Sequence, residues 1–374
     1  MKHKPKFRIR YFVICILIAF ILTAFLSPTR IIPTNTLPEE EQITMYSAES
    51  DPVSVPLSKA SELHQSGWYN APVTTMYSAD GRSETVYESE VSMREKDGWY
   101  KEPIATITLN GEAKIIPFSE SDKYRSDGWS VSEYNLNLPE LGIKIKDFIT
   151  HKKGRYGIYV KNLATNDVLI LNDGQYSSAS IIKLFTMATL FDETNKGNLS
   201  PDERVRSQLN SMITVSDNQC ANNLVSVIGH GDCRTGFETI NEFAHYMGCI
   251  NTQHFSQFEI NNRYIEFGKN LASPYDCGIL LEKIYNKTLI SEEASQQMLE
   301  LLKNQQLTNK IPEPLPEGTI TANKTGETSK IESDVAIVFS PECDYIICVL
   351  TNDAPSGIED IRYISKLTYD YFNS

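Results

Sequence analysis

The spacing of apolar positions changes character several times along the chain. Residues 11–26, "YFVICILIAFILTAFL", are apolar with hardly a break and follow a basic decapeptide holding Lys2, Lys4, Lys6, Arg8 and Arg10. The run is short for a spanning helix of about 20 residues. Yet "TAFLSPTRII" offers no small-x-small cleavage site, so residues 1–30 are expected to form an uncleaved membrane anchor, basic end inward and the rest outside. From 40 to 134 the pattern becomes short alternating runs that recur. "TMYSAESDP…SELHQSGWYNAP", "TMYSADGRS…SMREKDGWYKEP" and "TITLNGEAK…SDKYRSDGWSVS" align on Trp68, Trp99 and Trp129, spaced 31 and 30 residues apart. Each reads as strand, turn, strand, short polar helix and Gly-Trp end, with Asp80-Gly81 and Asn110-Gly111 as hairpin signals. A single Trp in so small a unit is expected to be its core rather than a ligand platform. The repeats are expected to form a spacer or wall-contacting stalk.

Residues 135–374 carry longer periods. "LPELGIKIKDFITHKK" repeats at helical spacing, and "GRYGIYVKNLATNDVLILN" alternates as two strands joined at "NLATND". A helix-rich stretch runs from 180 to about 310. Two further strands, "SDVAIVFS" and "YIICVLTND", and the amphipathic "GIEDIRYISKLTYDYF" follow. This order predicts an α+β fold of two lobes: an antiparallel sheet built from both ends of the unit and covered by its terminal helices, plus an all-helical lobe from the middle, with a cleft between them.

Composition narrows the partners. The formal net charge is −13, although five cations are spent in the first ten residues. So acidic an exported body lacks the clustered Lys and Arg that nucleic acid requires. Of seven cysteines, Cys15 lies in the apolar run, and Cys220, Cys233, Cys249, Cys277, Cys343 and Cys348 show no Cys-x-x-Cys spacing. Up to three disulfides are possible, and buried thiols are an equal expectation. His3, His64, His151, His230, His245 and His254 have no ligand spacing, so neither metal nor cofactor is expected.

One residue breaks the greasy stretch "SSASIIKLFTMATLF": Lys183, one helical turn after Ser180. A lone lysine in such a setting ordinarily snorkels to water. Two further short patterns alter that reading: Ser216-Asp217-Asn218 within the helical block, and Lys324-Thr325-Gly326 entering a strand. A serine hydroxyl needs a base within reach, and burial together with a second cation, here Lys324, depresses a lysine's pKa enough to make it one.

The ordered triple resembles that of the penicillin-recognising serine hydrolases, and residues 136–374 resemble class A β-lactamases most closely. "GIYVKNLATND", "MITVSDNQCANNLVSVIG", "ASP" at 272–274 and "VAIVFSPECDYIICVLT" strengthen the likeness. The resemblance implies Ser180 as acylated nucleophile, Lys183 as its proton acceptor, Ser216 as proton relay and Asn218 as a side-chain clamp. It implies Lys324 and Thr325 as the substrate-carboxylate seat beside Gly326, with backbone N–H groups of Ser180 and Glu327 receiving the oxyanion. Two departures stand out. The 36 residues from Ser180 to Ser216 are fewer than the family usually has, and the Glu-x-x-x-Asn setting of its deacylating glutamate is not reproduced. Glu259 is the nearest candidate, Glu266 the next, and Glu327 is expected to crowd an anionic ligand. Three functions follow in order: a β-lactamase-like hydrolase, a D,D-peptidase or penicillin-binding protein acting on wall peptides, and a non-catalytic anchored wall-binding or sensor protein.

Overall fold

The structure is a computed structural model and describes residues 41–260, 265–266 and 268–374. The expected anchor within residues 1–30 lies outside them, and among the described residues no helix is long and apolar enough to cross a membrane. The chain opens with β1 (Gln42–Met45), β2 (Val53–Pro56) and α1 (Leu57–Gln65), then β3 (Val73–Ser78), β4 (Ser83–Tyr87), α2 (Val91–Lys96) and β5 (Trp99–Tyr100). Next come β6 (Ile104–Leu109), β7 (Glu112–Pro117), α3 (Ser121–Ser126) and β8 (Ser130–Leu136). α4 (Pro139–Thr150), β9 (Arg155–Asn162), β10 (Val168–Leu171) and β11 (Tyr176–Ser177) lead to a 3₁₀ turn, Ala179–Ile182. The helical block is α5 (Lys183–Asn195), α6 (Glu203–Thr214), α7 (Asn218–Ile228) and α8 (Cys233–Tyr246). It is followed by β12 (Leu271–Ala272), α9 (Pro274–Tyr285) and α10 (Glu292–Lys303), and the chain ends with β13 (Ile320–Thr328), β14 (Ile331–Phe339), β15 (Tyr345–Asn352) and α11 (Gly357–Phe372).

Local chemistry explains these boundaries. Proline at the first position starts α4, and Leu141, Ile145 and Ile149 recur every four residues as its buried stripe. Asp202, Asp217 and Ser273 cap α6, α7 and α9 by accepting the N–H of Val205, Cys220 and Asp276. The "ASP" stretch is thus a capping serine followed by a first-turn proline.

The main sheet is antiparallel and eight-stranded, in the order β13-β14-β15-β9-β10-β8-β6-β7. Along β15, Tyr345, Ile347 and Val349 face a core shared with α4 and α11, while Ile346, Cys348 and Leu350 face the core of the helical block. This is the period-two alternation of a strand buried on both faces. The boundary expected between residues 134 and 135 falls inside β8, which pairs with β10 from Val168↔Leu136 to Leu171↔Glu133. The third Gly-Trp segment therefore extends the sheet by three strands, and its Trp129 is buried in the core of the helical block. Trp99 of the second segment packs on Met76, Val86 and Val91 in a small core of its own, with Arg82 and Arg94 over its ring. Cys220, Cys233, Cys249, Cys277, Cys343 and Cys348 are all free thiols, with Cys249, Cys277 and Cys348 buried.

Candidate active site

Ser180 lies in the 3₁₀ turn rather than in the helix proper. Ala179, just before it, takes φ +43°, the left-handed region that costs a residue with a Cβ of order 1–3 kcal/mol. That reversal lets the chain turn from β11 into α5 with Ser180 half-exposed and Lys183 at the first position of the helix. The turn is held from two sides: the N–H of Ser178 donates to the Asn270 carbonyl at 3.0 Å, and the Ser178 carbonyl accepts from Ile181 at 3.0 Å.

Lys183 does not snorkel. Its side chain is buried, and Nζ donates to the Ser216 carbonyl at 2.6 Å, to Ser216 Oγ at 3.2 Å and to Asn218 Oδ1 at 2.8 Å. The Phe258 ring lies against it, 4.3 Å from Nζ to the ring centre. Burial pushes the Lys183 ammonium down to about 7, opposed by the nearby Asp217 carboxylate. From β13, Lys324 Nζ reaches the same hydroxyl, Ser216 Oγ, at 3.0 Å and donates to the Thr325 carbonyl at 2.7 Å. Lys324 is fully buried and held well below the ordinary lysine range, by desolvation first and then by the Lys183 ammonium. Of the two expected causes, burial and a second cation, burial acts on Lys183, and the repulsion between the two amines weighs on Lys324. Ser216 itself stands at φ +59°, which aims its hydroxyl between the two amines.

Thr325 and Gly326 complete that strand. β13 is the edge of the sheet and packs against the 3₁₀ turn, so one row of its backbone N–H groups faces away from β14 toward Ser180. The approach is close enough to demand glycine: a Cβ on Gly326 would sit 2.9 Å from the Ser178 carbonyl oxygen and 2.9 Å from Ile181 Cγ1. Glu327 is exposed, and Lys310 Nζ lies 3.3 Å from its Oε2. The carboxylate expected to crowd an anion is therefore paired with a buried ammonium, which also meets Glu332 at 2.7 Å.

Hydrogen bonds join Lys183, Ser216, Asn218 and Lys324 into one cluster, with Ser180 one turn before Lys183, Thr325 next to Lys324 on β13 and Gly326 against the Ser180 turn. Glu259 and Glu266 are exposed, and no hydrogen bond or ion pair joins either carboxylate to that cluster among the described residues. What reaches Lys183 from this stretch is the neighbour of Glu259, Phe258. Its N–H and carbonyl are both held by the Asn222 side chain at 2.8 Å, while Asn270 Oδ1 accepts from the N–H groups of Phe255 and Ser256 at 2.9 Å. The sequence hints at Asn222, one turn after Asn218 on the same helix; nothing local marks Phe258, Asn270 or Lys310. Among the described residues no three His, Cys, Asp or Glu side chains converge as a metal set.

A half-buried serine on a strained turn thus stands one helical turn before a buried lysine, whose amine shares the Ser216 hydroxyl with that of Lys324. The chain belongs to the Beta-lactamase enzyme family, whose sequence pattern matches residues 140–210 and 204–372. It is similar to "Beta-lactamase VEB-1" of Pseudomonas aeruginosa, 25% identical over 281 residues that span 64% of this chain and 92% of the relative. Among solved structures, PBP-A superposes with a TM-score of 0.55 at 22% identity, covering 63% of this chain and 97% of its own. The TLA-1 extended spectrum β-lactamase gives 0.54 at 20%, covering 63% and 99%. These two share the α+β two-lobed fold of residues 135–374.

Proposed function

We propose that this chain opens β-lactam amides through an acyl-enzyme on Ser180. The observation that carries the reading is Ser216 Oγ, which accepts from both Lys183 Nζ and Lys324 Nζ. With its lone pairs occupied by two donors, the hydroxyl has its own proton to give, which is what a leaving nitrogen requires. Neutral Lys183 takes the Ser180 proton as Oγ attacks the carbonyl. Lys324 and Thr325 seat the substrate carboxylate, Asn218 orients its amide, and the edge N–H groups at Ser180 and Glu327 receive the oxyanion. The reading includes export and an anchor at residues 1–30, with the Gly-Trp segments that precede the main sheet as a spacer or wall-contacting stalk.

A second reading, a D,D-peptidase or penicillin-binding protein, is favoured by one observation: from the stretch that holds Glu259 it is the Phe258 ring that lies against Lys183, while the Glu259 side chain is exposed. Mass spectrometry of the full chain with benzylpenicillin tests the first step. A penicilloyl mass on Ser180, absent in Ser180→Ala, is expected; an unmodified parent protein refutes acyl transfer and leaves a wall-binding protein. Glu259→Gln then separates the two readings. An adduct that persists at least about tenfold longer in the variant assigns water activation to Glu259. An unchanged lifetime with slow release assigns the chain to wall peptides.

A further inference from the structure

We propose that Arg125, in the helix of the third Gly-Trp segment, is a positioning residue for the loop that closes over Lys183, which makes that segment a working part of the acylation site. The inference rests on Lys183 being the proton acceptor of Ser180.

Arg125 belongs to a stretch of polar surface character, "SDKYRSDGW", yet it is 2% exposed. Its Nη2 donates to Asp276 Oδ1 at 2.5 Å, its Nε lies 3.8 Å from Asp173 Oδ2, and its guanidinium carbon stands 4.3 Å from the centre of the Tyr275 ring. Both carboxylates are fully buried in the hydrolase unit, and the cation that compensates them is the guanidinium of the appended segment. Burial pushes Asp173 up to about 6 and Asp276 in the same direction; the guanidinium opposes both.

The other oxygen of Asp276 does different work. Oδ2 accepts the backbone N–H of Asn251 at 2.9 Å and the hydroxyl of Thr252 at 2.8 Å. These two residues root the first part of the loop, where the N–H groups of Phe255 and Ser256 are held by Asn270 and the Phe258 ring lies against Lys183. One carboxylate thus joins the guanidinium of the appended segment to the base of the loop. Without Arg125, Asp276 takes up a proton or draws in water, and either change weakens its grip on Asn251 and Thr252. The groups that face Lys183 are Asp217 and Cys220 from α7, Lys324 from β13 and His254 from the loop itself. A loosened loop moves His254 and Phe258 and lets water reach the amine, which favours its charged form.

The test uses the full chain carrying Arg125→Met, Arg125→Lys or Thr252→Val. Hydrogen exchange of the amides at 251–258 is expected to quicken at least about tenfold in Arg125→Met while α4 and α11 keep the parental pattern. The acid limb of the acylation rate is expected to move up by about half a pH unit or more. Arg125→Lys falls between parent and Met, and Thr252→Val moves both readouts in the same direction by less. Unchanged exchange at 251–258, or a lower yield of active protein with the limb unmoved, overturns the inference. If Arg125→Met does not fold, Thr252→Val decides by direction: faster exchange at 251–258 together with an acid limb moved up supports the inference, and no change in either overturns it. If the parent is never acylated, the catalytic reading fails separately, and the exchange pattern still decides what Arg125 holds.

Discussion

At residue scale the site turns on two ammonium groups sharing one hydroxyl. An ordinary lysine is neutral in roughly one molecule in a few thousand at pH 7; burial brings Lys183 to about 7, where neutral and charged forms are comparable. The unfolded chain keeps that proton up to the ordinary value, so between about 7 and the ordinary lysine value the folded state holds fewer protons. The contribution of this group to stability accordingly rises with pH across that window. Acylation follows the neutral form: the rate is expected to climb as pH rises toward 7 and to fall about tenfold per unit well below it, measured by stopped-flow with a chromogenic cephalosporin. Lys183→Met removes the acceptor and is expected to slow acylation by about 10²–10⁴-fold with the pH limb abolished. Ser180, Lys183, Ser216 and Lys324 stood out in the sequence through the family resemblance of the ordered triple, and the structure brings Lys183 and Lys324 onto the Ser216 hydroxyl. Phe258 was not, since an aromatic ring lying over a lysine leaves no signature in local spacing. The same limit applies to Glu259, chosen for its residue type and chain position and found facing solvent.

At the scale of elements, the approach of β13 to the 3₁₀ turn sets the geometry of the cleft. Gly326 permits that approach, and the atoms a side chain would meet include a backbone oxygen that cannot rotate aside. Gly326→Ala is expected to cost about 1–3 kcal/mol in urea denaturation and, on the proposed mechanism, to slow acylation more than tenfold, because β13 must retreat from the Ser180 turn and carry Lys324 and Thr325 with it. A denaturation midpoint and an acylation rate both equal to the parent's would show that the strand has slack. The helices α4 and α11 and the strands β9, β10, β14 and β15 were readable from periodicity because each buries a regular stripe or alternates between two cores. The turn at Ala179 was not: its left-handed residue is an alanine, and only glycine or asparagine would have announced it.

At the scale of the molecule, the sheet joins what the repeat pattern divides. The three segments look alike in sequence, and strand alternation cannot tell a hairpin that stands alone from one that continues a larger sheet. One signal was present. Four residues before each Trp stand His64, Glu95 and Arg125, so the third segment alone places a permanent cation where it meets the hydrolase unit. A fragment beginning at 135 lacks Ile107, Trp129, Val131 and Tyr134, each buried, and leaves β10 as an open edge. Full burial of such side chains contributes about 1.5–3 kcal/mol apiece, and their sum rivals the roughly 5–15 kcal/mol that holds a domain together. That fragment is expected to aggregate or melt below the temperature of one beginning at 101, as read by differential scanning calorimetry; equal melting temperatures would show that the segment is dispensable.

Six unbridged sulfurs, three of them deep in the packing, carry a practical corollary. Among the described residues no fold element waits on an oxidant, so residues 41–374 made under reducing conditions need no oxidative refolding. Of the partly accessible thiols, Cys220 lies nearest the cluster in sequence, two residues beyond Asn218.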